Sequence, residues 1–338
     1  MRNTSARVLL GAGAFSVTLA ALVAGVATPA LLKAPLVNSV TTQASGPATK
    51  LDAATGAQVA GTFRQVATKG THTVGGKAAG DSDVAVYDSY SASSFAPAGG
   101  GPVAELTKIL YTQAFDRSTG VGRPSVAGDT LGTTAHAFKL PFDVQKTTYQ
   151  LWDSSAEKAF PLRYTRETTV GGLDVYAFTQ DATATDLGEL PVLKAVPGAL
   201  VGEPQTPSIP AHEWYENLGK VVYVEPVTGS IVGGKSNPHL WAQTADGRKV
   251  DVLKAQGVGL VPASQSEVVA DAKDNAKKAG LLHTAPWVLG VLGLVLLVAG
   301  FVMLRRRPVA AHTIDLDERT TALPVPRAED PVRVTERR

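Results

Sequence analysis

The sequence predicts a mainly β protein: a single exported antiparallel domain of sandwich or barrel type, with a few short helices, flanked by two transmembrane helices. Three observations carry this. Two long runs, 8–32 and 281–304, contain no charged residue. Between them, short β-branched and aromatic runs such as "TTYQLW" (147–152), "LDVYAF" (173–178) and "KVVYVEP" (220–226) are separated by Gly-, Asn- and Asp-containing breaks. One turn-like pattern recurs: "TKLDAATGAQVAG" from Thr49, "QAFDRSTGVG" from Gln113 and "VYVEPVTGSIVGG" from Val222, with "YQLWDSSAEKAF" from Tyr149 as a looser relative. An irregular β-propeller is the alternative, but the turns at Asp52, Asp116, Asp153 and Glu225 have no constant period.

Composition agrees. The 338 residues include 33 Gly and 21 Pro, which favour turns, and only 18% charged residues. A net charge of +2 is too balanced for a dedicated nucleic-acid binder. With no Cys, disulfides, thiol nucleophiles and Cys-ligated zinc are excluded.

Residues 1–7 form an N-terminal cap with Arg2 and Arg7, followed by a first span over 8–32, read as an uncleaved signal anchor because the apolar run is longer than a signal h-region. The β domain covers 33–262. Within it, "VAELTKILYTQAF" is predicted as a short helix from its apolar residues at 103, 106, 109 and 110, and "SSFAPAGGGP" (93–102) as a flexible loop. In each recurring turn, Asp opens a tight turn by accepting backbone N–H groups, and Thr-Gly closes it with Gly at positive φ; Glu225 is too long for the best such turn. A stalk helix is predicted over 263–283, with Ser264 and Glu267 in capping-box spacing and an end at Gly280. The second span follows at 284–304, stopped by Arg305–Arg307. The tail 305–338, rich in Arg and Pro without aromatics, reads as disordered. Arg on the outer side of each span predicts an inner-membrane, double-pass protein with both termini cytoplasmic and the main domain extracytoplasmic.

No catalytic, cofactor or metal residue is predicted. "HEWYE" (212–216) lacks the second His of a zinc-protease helix, and the six His show no ligand spacing. "GDSDVAVYD" (80–88) groups acids without the spacing of a calcium loop. The Pro-rich segment 191–210 stands out, because it is more apolar than a solvated loop. Val196, Leu200, Val201 and Ile209 are its candidate residues for lining an apolar cleft.

Several of these motifs occur together and in order: "DVAVYDSYS" (83–91), "YTQAFDRSTG" (111–120), "KLPFDVQKTTYQLWDSSAEKAFPL" (139–162), "VGGLDVYAF" (170–178) and "VVYVEPVTGSIV" (221–232) between the two spans. In this the chain resembles the actinobacterial "porin PorA family", which includes polar growth factor A-like proteins. The resemblance implies an envelope protein anchored in the inner membrane. In mycolate-making relatives it implies trafficking of trehalose-mycolate lipid beside the transporter that exports it. The layout of an ectodomain between two spans also looks like that of CD36-type lipid receptors. The expected function is therefore non-enzymatic: binding or handing on an envelope lipid or glycolipid, with an inner-membrane lipid transporter as partner and no cofactor. The alternatives are a scaffold that recruits envelope-synthesis machinery and, more remotely, an exported hydrolase.

Overall fold

The computed structural model describes residues 2–189 and 195–305. The predicted tail beyond Arg305, together with the start of the Pro-rich segment (191–194), lies outside them.

The chain enters as α1 (Arg2–Leu22), a π-helical turn (Val23–Ala27) and α2 (Thr28–Leu31). There follow β1 (Ser39–Leu51), β2 (Gln58–Thr71), β3 (Thr73–Val74), β4 (Lys77–Ala78), β5 (Val84–Pro97), β6 (Ala104–Asp116), β7 (Tyr149–Asp153), β8 (Lys158–Val170), β9 (Leu173–Glu189), β10 (Ala195–Val196), β11 (Ile209–Val224), β12 (Ile231–Ser236), β13 (Pro238–Thr244), β14 (Lys249–Ala255) and β15 (Val258–Leu260). The chain leaves along α3 (Pro262–Arg305).

All but β3 and β4 belong to one antiparallel sheet in the order β6-β5-β2-β1-β14-β13-β11-β9-β8-β7. β12 and β13 act as one strand broken at Asn237, since β11 pairs with both in succession. β14 and β15 likewise continue one another against β1. A break in a ladder orphans backbone groups, and buried orphans must be repaired. Here two side-chain amides do so: Asn237 N–H donates to Asn217 Oδ1 (2.8 Å), and Gly257 N–H donates to Asn237 Oδ1 (2.8 Å).

The two edge strands, β6 and β7, are partly covered. The connection between them covers β7 and the Thr112–Phe115 end of β6, which shortens the open edges. Ala114 N–H donates to Asp129 Oδ1 (2.9 Å) and Gln113 Nε2 to Ala135 O (2.9 Å), while His136 N–H donates to Gln150 O (2.9 Å) and Trp152 N–H to His136 O (2.8 Å). The sheet thus closes on itself through 117–148 in a barrel-like form, not as blades of a propeller.

Two local expectations are corrected. Residues 104–116 are strand β6, not a helix: their backbone pairs with β5 from Val84↔Asp116 to Phe95↔Ala104, and this register outweighs a helix-like spacing of four apolar residues. Ser93–Pro97 also belong to strand β5, so the flexible segment is shorter than 93–102.

The helix after β15 does not end at Gly280. α3 runs unbroken for 44 residues, about 66 Å at ~1.5 Å per residue, so a bilayer core of ~30 Å takes up only part of it. Its first half packs on the sheet: Val268 and Ala272 meet Val175, Val232 and Tyr223, and Gln265 Nε2 donates to Val232 O (2.7 Å). Ser264 does not cap the helix; its Oγ accepts Gln43 N–H (3.0 Å) and ties α3 to β1. From Leu281 onward most large side chains are exposed, as many are from Val8 to Leu31 in the N-terminal helices. Both helices are long and apolar enough to cross a membrane. They pack on small residues, where the backbones come so close that a Cβ on Gly293 would lie 2.8 Å from Gly13 O.

Candidate functional site

The recurring turns share one construction. Asp52, Asp116, Asp153 and Glu225 each open a turn whose fifth residue has positive φ: Gly56 (+70°), Gly120 (+74°), Glu157 (+50°) and Gly229 (+72°). The carboxylates accept backbone N–H groups, as when Asp116 Oδ1 accepts from Ser118 (3.0 Å) and Thr119 (2.8 Å). Glu225 corrects the expectation about its length. It is 2% exposed and accepts from Val227 N–H (2.9 Å), Thr228 N–H (2.7 Å) and Thr228 Oγ1 (2.5 Å). Burial lets the longer side chain fold back over its own turn.

Two of these turns do more than reverse the chain. They clamp the segment 139–144 from either side. Leu140 N–H donates to Gly229 O (2.9 Å), Val144 N–H to Pro226 O (2.7 Å) and Phe142 N–H to Ser118 O (3.2 Å). A Cβ on Gly120 would stand 2.5 Å from Lys139 O, and one on Gly229 would overlap Leu140 O and Pro141 O. Glycine is required here by close approach as well as by φ.

The clamped segment forms one wall of a cavity of about 670 Å³, within the usual range of small-ligand sites. Its other walls come from the inner ends of β1 and β2 (Val40, Ala67, Lys69), from Tyr87, Tyr111 and Phe115, from Val232 on β12, and from Val268, Ala272 and Leu282 on α3. Leu31 and Leu32 at the end of the first apolar helix reach it as well, so the lining runs from inside the sheet to both helices. The aromatic wall is rigid: Tyr87 packs edge-on to Phe115 (5.0 Å) and Phe138 (5.5 Å), and Phe138 stacks on Tyr111 (6.0 Å). The linker after α2 is pinned beside it, with Tyr87 Oη donating to Pro35 O and Arg117 Nε to Ala34 O (2.6 Å).

Charged residues break the apolar lining, and burial shifts two of its lysines, Lys69 and Lys139. Lys139 is 8% exposed; its Nζ lies 3.7 Å over the Phe142 ring and donates to Ser118 O (3.2 Å) and Arg117 O (3.4 Å). Burial pulls its pKa down to about 7, against the pull of nearby Asp116. Asp116 itself is held to about 2: burial would raise it, but the N–H of Thr119 and the guanidinium of Arg123 (2.8 Å) prevail. Lys69, half-buried on β2, is also lowered by burial.

The residues singled out from the sequence lie elsewhere. Val196 and Val201 are buried with Leu51, Ala211, Ala242 and Val250, and Leu200 and Ile209 pack against that cluster. None of the four lines the cavity. The acids of 80–88 are separately engaged: Asp81 accepts two backbone N–H groups, Asp83 pairs with Lys33 (2.8 Å), and Asp88 takes His72 (3.0 Å) and Thr112 (2.6 Å). His212 of "HEWYE" sits on β11 and pairs with Asp186 (2.9 Å). His239 bridges Glu216 (3.0 Å) and Asp251 (2.9 Å) on the sheet surface. Lys139, Phe142 and Thr228, which line the cavity, lie in sequence motifs that read as parts of turns and strands. The one available signal was a lysine and a phenylalanine flanking Leu-Pro in an otherwise strand-like run.

Fold and cavity together define a membrane-associated β-domain protein. The family model described as "Porin PorA" matches residues 5–302, and the chain belongs to that family. Relatives named "Porin PorA" are found in Corynebacterium amycolatum, 27% identical over 48% of this chain and 52% of the relative, and in Corynebacterium resistens, 25% identical over 52% and 57%. The chain therefore spans little more than half the length of these curated relatives.

Proposed function

We propose that this protein is a non-enzymatic, double-pass envelope protein of the inner membrane whose β domain binds an envelope lipid or glycolipid and hands it on, working beside a membrane lipid transporter. The observation that carries the reading is the cavity of about 670 Å³ between the sheet and the two apolar helices. A hollow that begins at the ends of membrane spans and continues into a β domain gives an acyl chain a path out of the bilayer without crossing water. Each buried CH₂ contributes about 0.8 kcal/mol, so partial entry of a chain suffices for retention. The orientation follows from Arg2, Arg7 and Arg305 beside the spans. The porin in the relatives' name fits a lipid-facing barrel, which needs an outward apolar band on its strands. Here the exposed large hydrophobic side chains gather on α1 and α3 and are scattered on the strands.

The test is mass spectrometry of lipid co-purified with the full chain in neutral detergent, for wild type and for Ala67→Trp, which fills the cavity from β2. Bound lipid in wild type and its loss in the folded variant are the expected results. A wild-type protein free of lipid would favour the scaffold function. Orientation is checked by protease added to spheroplasts, which should cut within 36–280 and spare the residues after Arg307.

A further inference from the structure

The cavity lining is unbalanced in charge. Lys33, Lys69, Lys139 and Lys278 contribute to it, and Asp271 is its one carboxylate among the described residues. Lys33 is matched by Asp83 (2.8 Å). Lys69 and Lys139 have no carboxylate within ion-pair distance among the described residues.

An ammonium group buried without a counter-ion costs stability, and a fold that keeps one there needs a reason. A lysine whose only task is to cover apolar surface carries its ammonium out to water along its flexible stem. Lys139 does not. Its backbone is fixed by the bridge to Ser230 and by the flanking turns, the residue is 8% exposed, and its Nζ is steadied by two carbonyls and the Phe142 ring. An ammonium has three donors, and the two carbonyls occupy two of them at 3.2 and 3.4 Å. Lys69 lines the same hollow on β2, where its backbone pairs with Val40 on one side and Ser89 on the other.

We infer that the cavity selects a lipid with an anionic head group, whose phosphate or carboxylate oxygen is held by the ammonium groups of Lys69 and Lys139 while its chain lies against the apolar walls. The inference rests on the lipid-binding reading above and adds to it the charge of the ligand. Charge-assisted hydrogen bonds in a low-dielectric site are stronger than neutral ones, so two such donors favour an anion over an otherwise identical neutral or zwitterionic lipid. The lowered pKa of Lys139 fits an ammonium waiting for its counter-ion.

The experiment uses the full chain in neutral detergent micelles doped in turn with phosphatidylglycerol, phosphatidylcholine or palmitate, with and without inorganic phosphate. Native mass spectrometry counts the bound molecules. Wild type should retain phosphatidylglycerol, palmitate or both about fivefold or more over phosphatidylcholine, and inorganic phosphate should not displace them. Retention of palmitate alone would identify a carboxylate head; retention of phosphatidylglycerol alone would identify a phosphodiester. Lys69→Met, which lies outside the clamped segment, should lower the ratio of anionic lipid to phosphatidylcholine retained roughly threefold, and the double variant with Lys139→Met should abolish the preference. Equal retention of anionic and zwitterionic lipid, or a preference that survives in Lys69→Met and the double variant, overturns the inference while leaving lipid binding intact. Displacement by inorganic phosphate overturns the lipid head group in favour of a free anion. Failure to retain any lipid overturns both readings.

Discussion

Strand β1 connects two apolar regions that are built from similar residues. At its start, Val40 borders the hollow shared with Ala67, Tyr111, Val232 and Ala272. At its end, Leu51 is buried in a filled cluster with Val196, Val201, Ala211, Ala242 and Val250. The two are about 35 Å apart at ~3.3 Å per strand residue. The far end is closed because one Pro-rich segment lies across it: Val196 pairs with Ile209, and Arg248 donates to Val201 O (2.6 Å) and binds Glu203 (2.7 Å). At the near end the walls come from separate segments that are each pinned elsewhere: the linker at Ala34 and Pro35, the clamp at Leu140, the sheet and α3. None of them is free to collapse inward. Apolar residues on a segment that can settle make core; the same residues on segments held by other bonds leave space.

The sharpest way to break this comparison is through its matching turns. Gly56 lies at the filled end and Gly229 at the hollow one, with φ of +70° and +72°. Replacing either by Val places a β-branched residue in the left-handed region, at a cost of about 1–3 kcal/mol. At Gly56 the new Cβ meets only Leu200 Cδ2 at 2.6 Å, the end of a side chain that can turn away. At Gly229 it meets the carbonyl oxygens of Leu140 and Pro141, which are part of the clamp. Gly229→Val should therefore cost more than about 3 kcal/mol and Gly56→Val less, in thermal melts of the full chain in detergent. Equal losses would show that the clamp is not held rigidly against the cavity.

Val201→Asp is expected to come next. It buries a carboxylate in a filled cluster without a partner, costing about 2–4 kcal/mol, and lipid retained per folded molecule should not change. Ala67→Trp should show the reverse pattern, with lipid lost and the melting temperature shifted little. If Val201→Asp instead removed lipid from a protein that melts like wild type, the ligand site would lie at the Pro-rich end.

This contrast also explains what could be read from the sequence. The two apolar helices, the antiparallel class and the turn at Gly120 and Gly229 were legible because each rests on local chemistry: an uncharged run, an alternating run, a glycine needed at positive φ. The helix predicted at 104–116 failed because pairing with β5 along nearly its whole length overrides a local apolar spacing. The site was illegible for a different reason. A hollow is a property of what does not reach across it, and its lining is drawn from residues 31 to 282. The Pro-rich segment drew attention through its composition, but apolar composition signals burial and does not distinguish a filled cluster from a hollow one. In sequence a lysine before Leu-Pro in a strand-like run looks like an ordinary solvated residue; the burial of Lys139 is created by the turns ending at Gly120 and Gly229, far from it along the chain.

The lysine gives the hollow end a pH dependence that the filled end lacks. The folded pKa of Lys139, about 7, lies below the unfolded value of ~10.4. Between these values the unfolded chain binds the proton and the folded one does not, so stability rises with pH across that window, by at most about 1.4 kcal/mol per unit, and is flat below it. The neighbours facing Lys139 are Asp116, His136 and the Phe142 ring, with Lys33, Lys69, Lys278 and Asp271 around the same cavity. Asp116 is ionised throughout the window and burial keeps His136 neutral, but Lys69 is shifted in the same direction. The comparison is therefore made in a Lys69→Met background, where melting temperature should rise from pH 7 to 9 with Lys139 present and stay level in Lys139→Met. A bound anionic lipid should flatten the rise by restoring the ammonium. A slope unaffected by Lys139→Met would place the titration elsewhere.

The smallest effect concerns the fourth turn, which shares the construction of the other three but has no glycine. Asp153 is 4% exposed, accepts from Ser155 N–H (3.1 Å) and Ala156 N–H (3.2 Å), and binds Lys220 (3.2 Å). Four residues on, where the other turns have Gly, Glu157 is held at φ +50°. The side chain there is exposed and has no ion pair among the described residues, so nothing offsets its backbone strain. Glycine removes the strain, of order 1–2 kcal/mol for a non-glycine residue, and returns part of the gain as added freedom of the unfolded chain. Glu157→Gly should therefore raise stability by about 0.5–1 kcal/mol, read as a shift of a degree or two in the melt, with lipid retention unchanged because this turn does not touch the clamp at 139–144. Alanine at the same position keeps the strain and should give no gain. If alanine stabilises as much as glycine, the benefit comes from removing the carboxylate and not from the backbone, and the four turns are alike in sequence only.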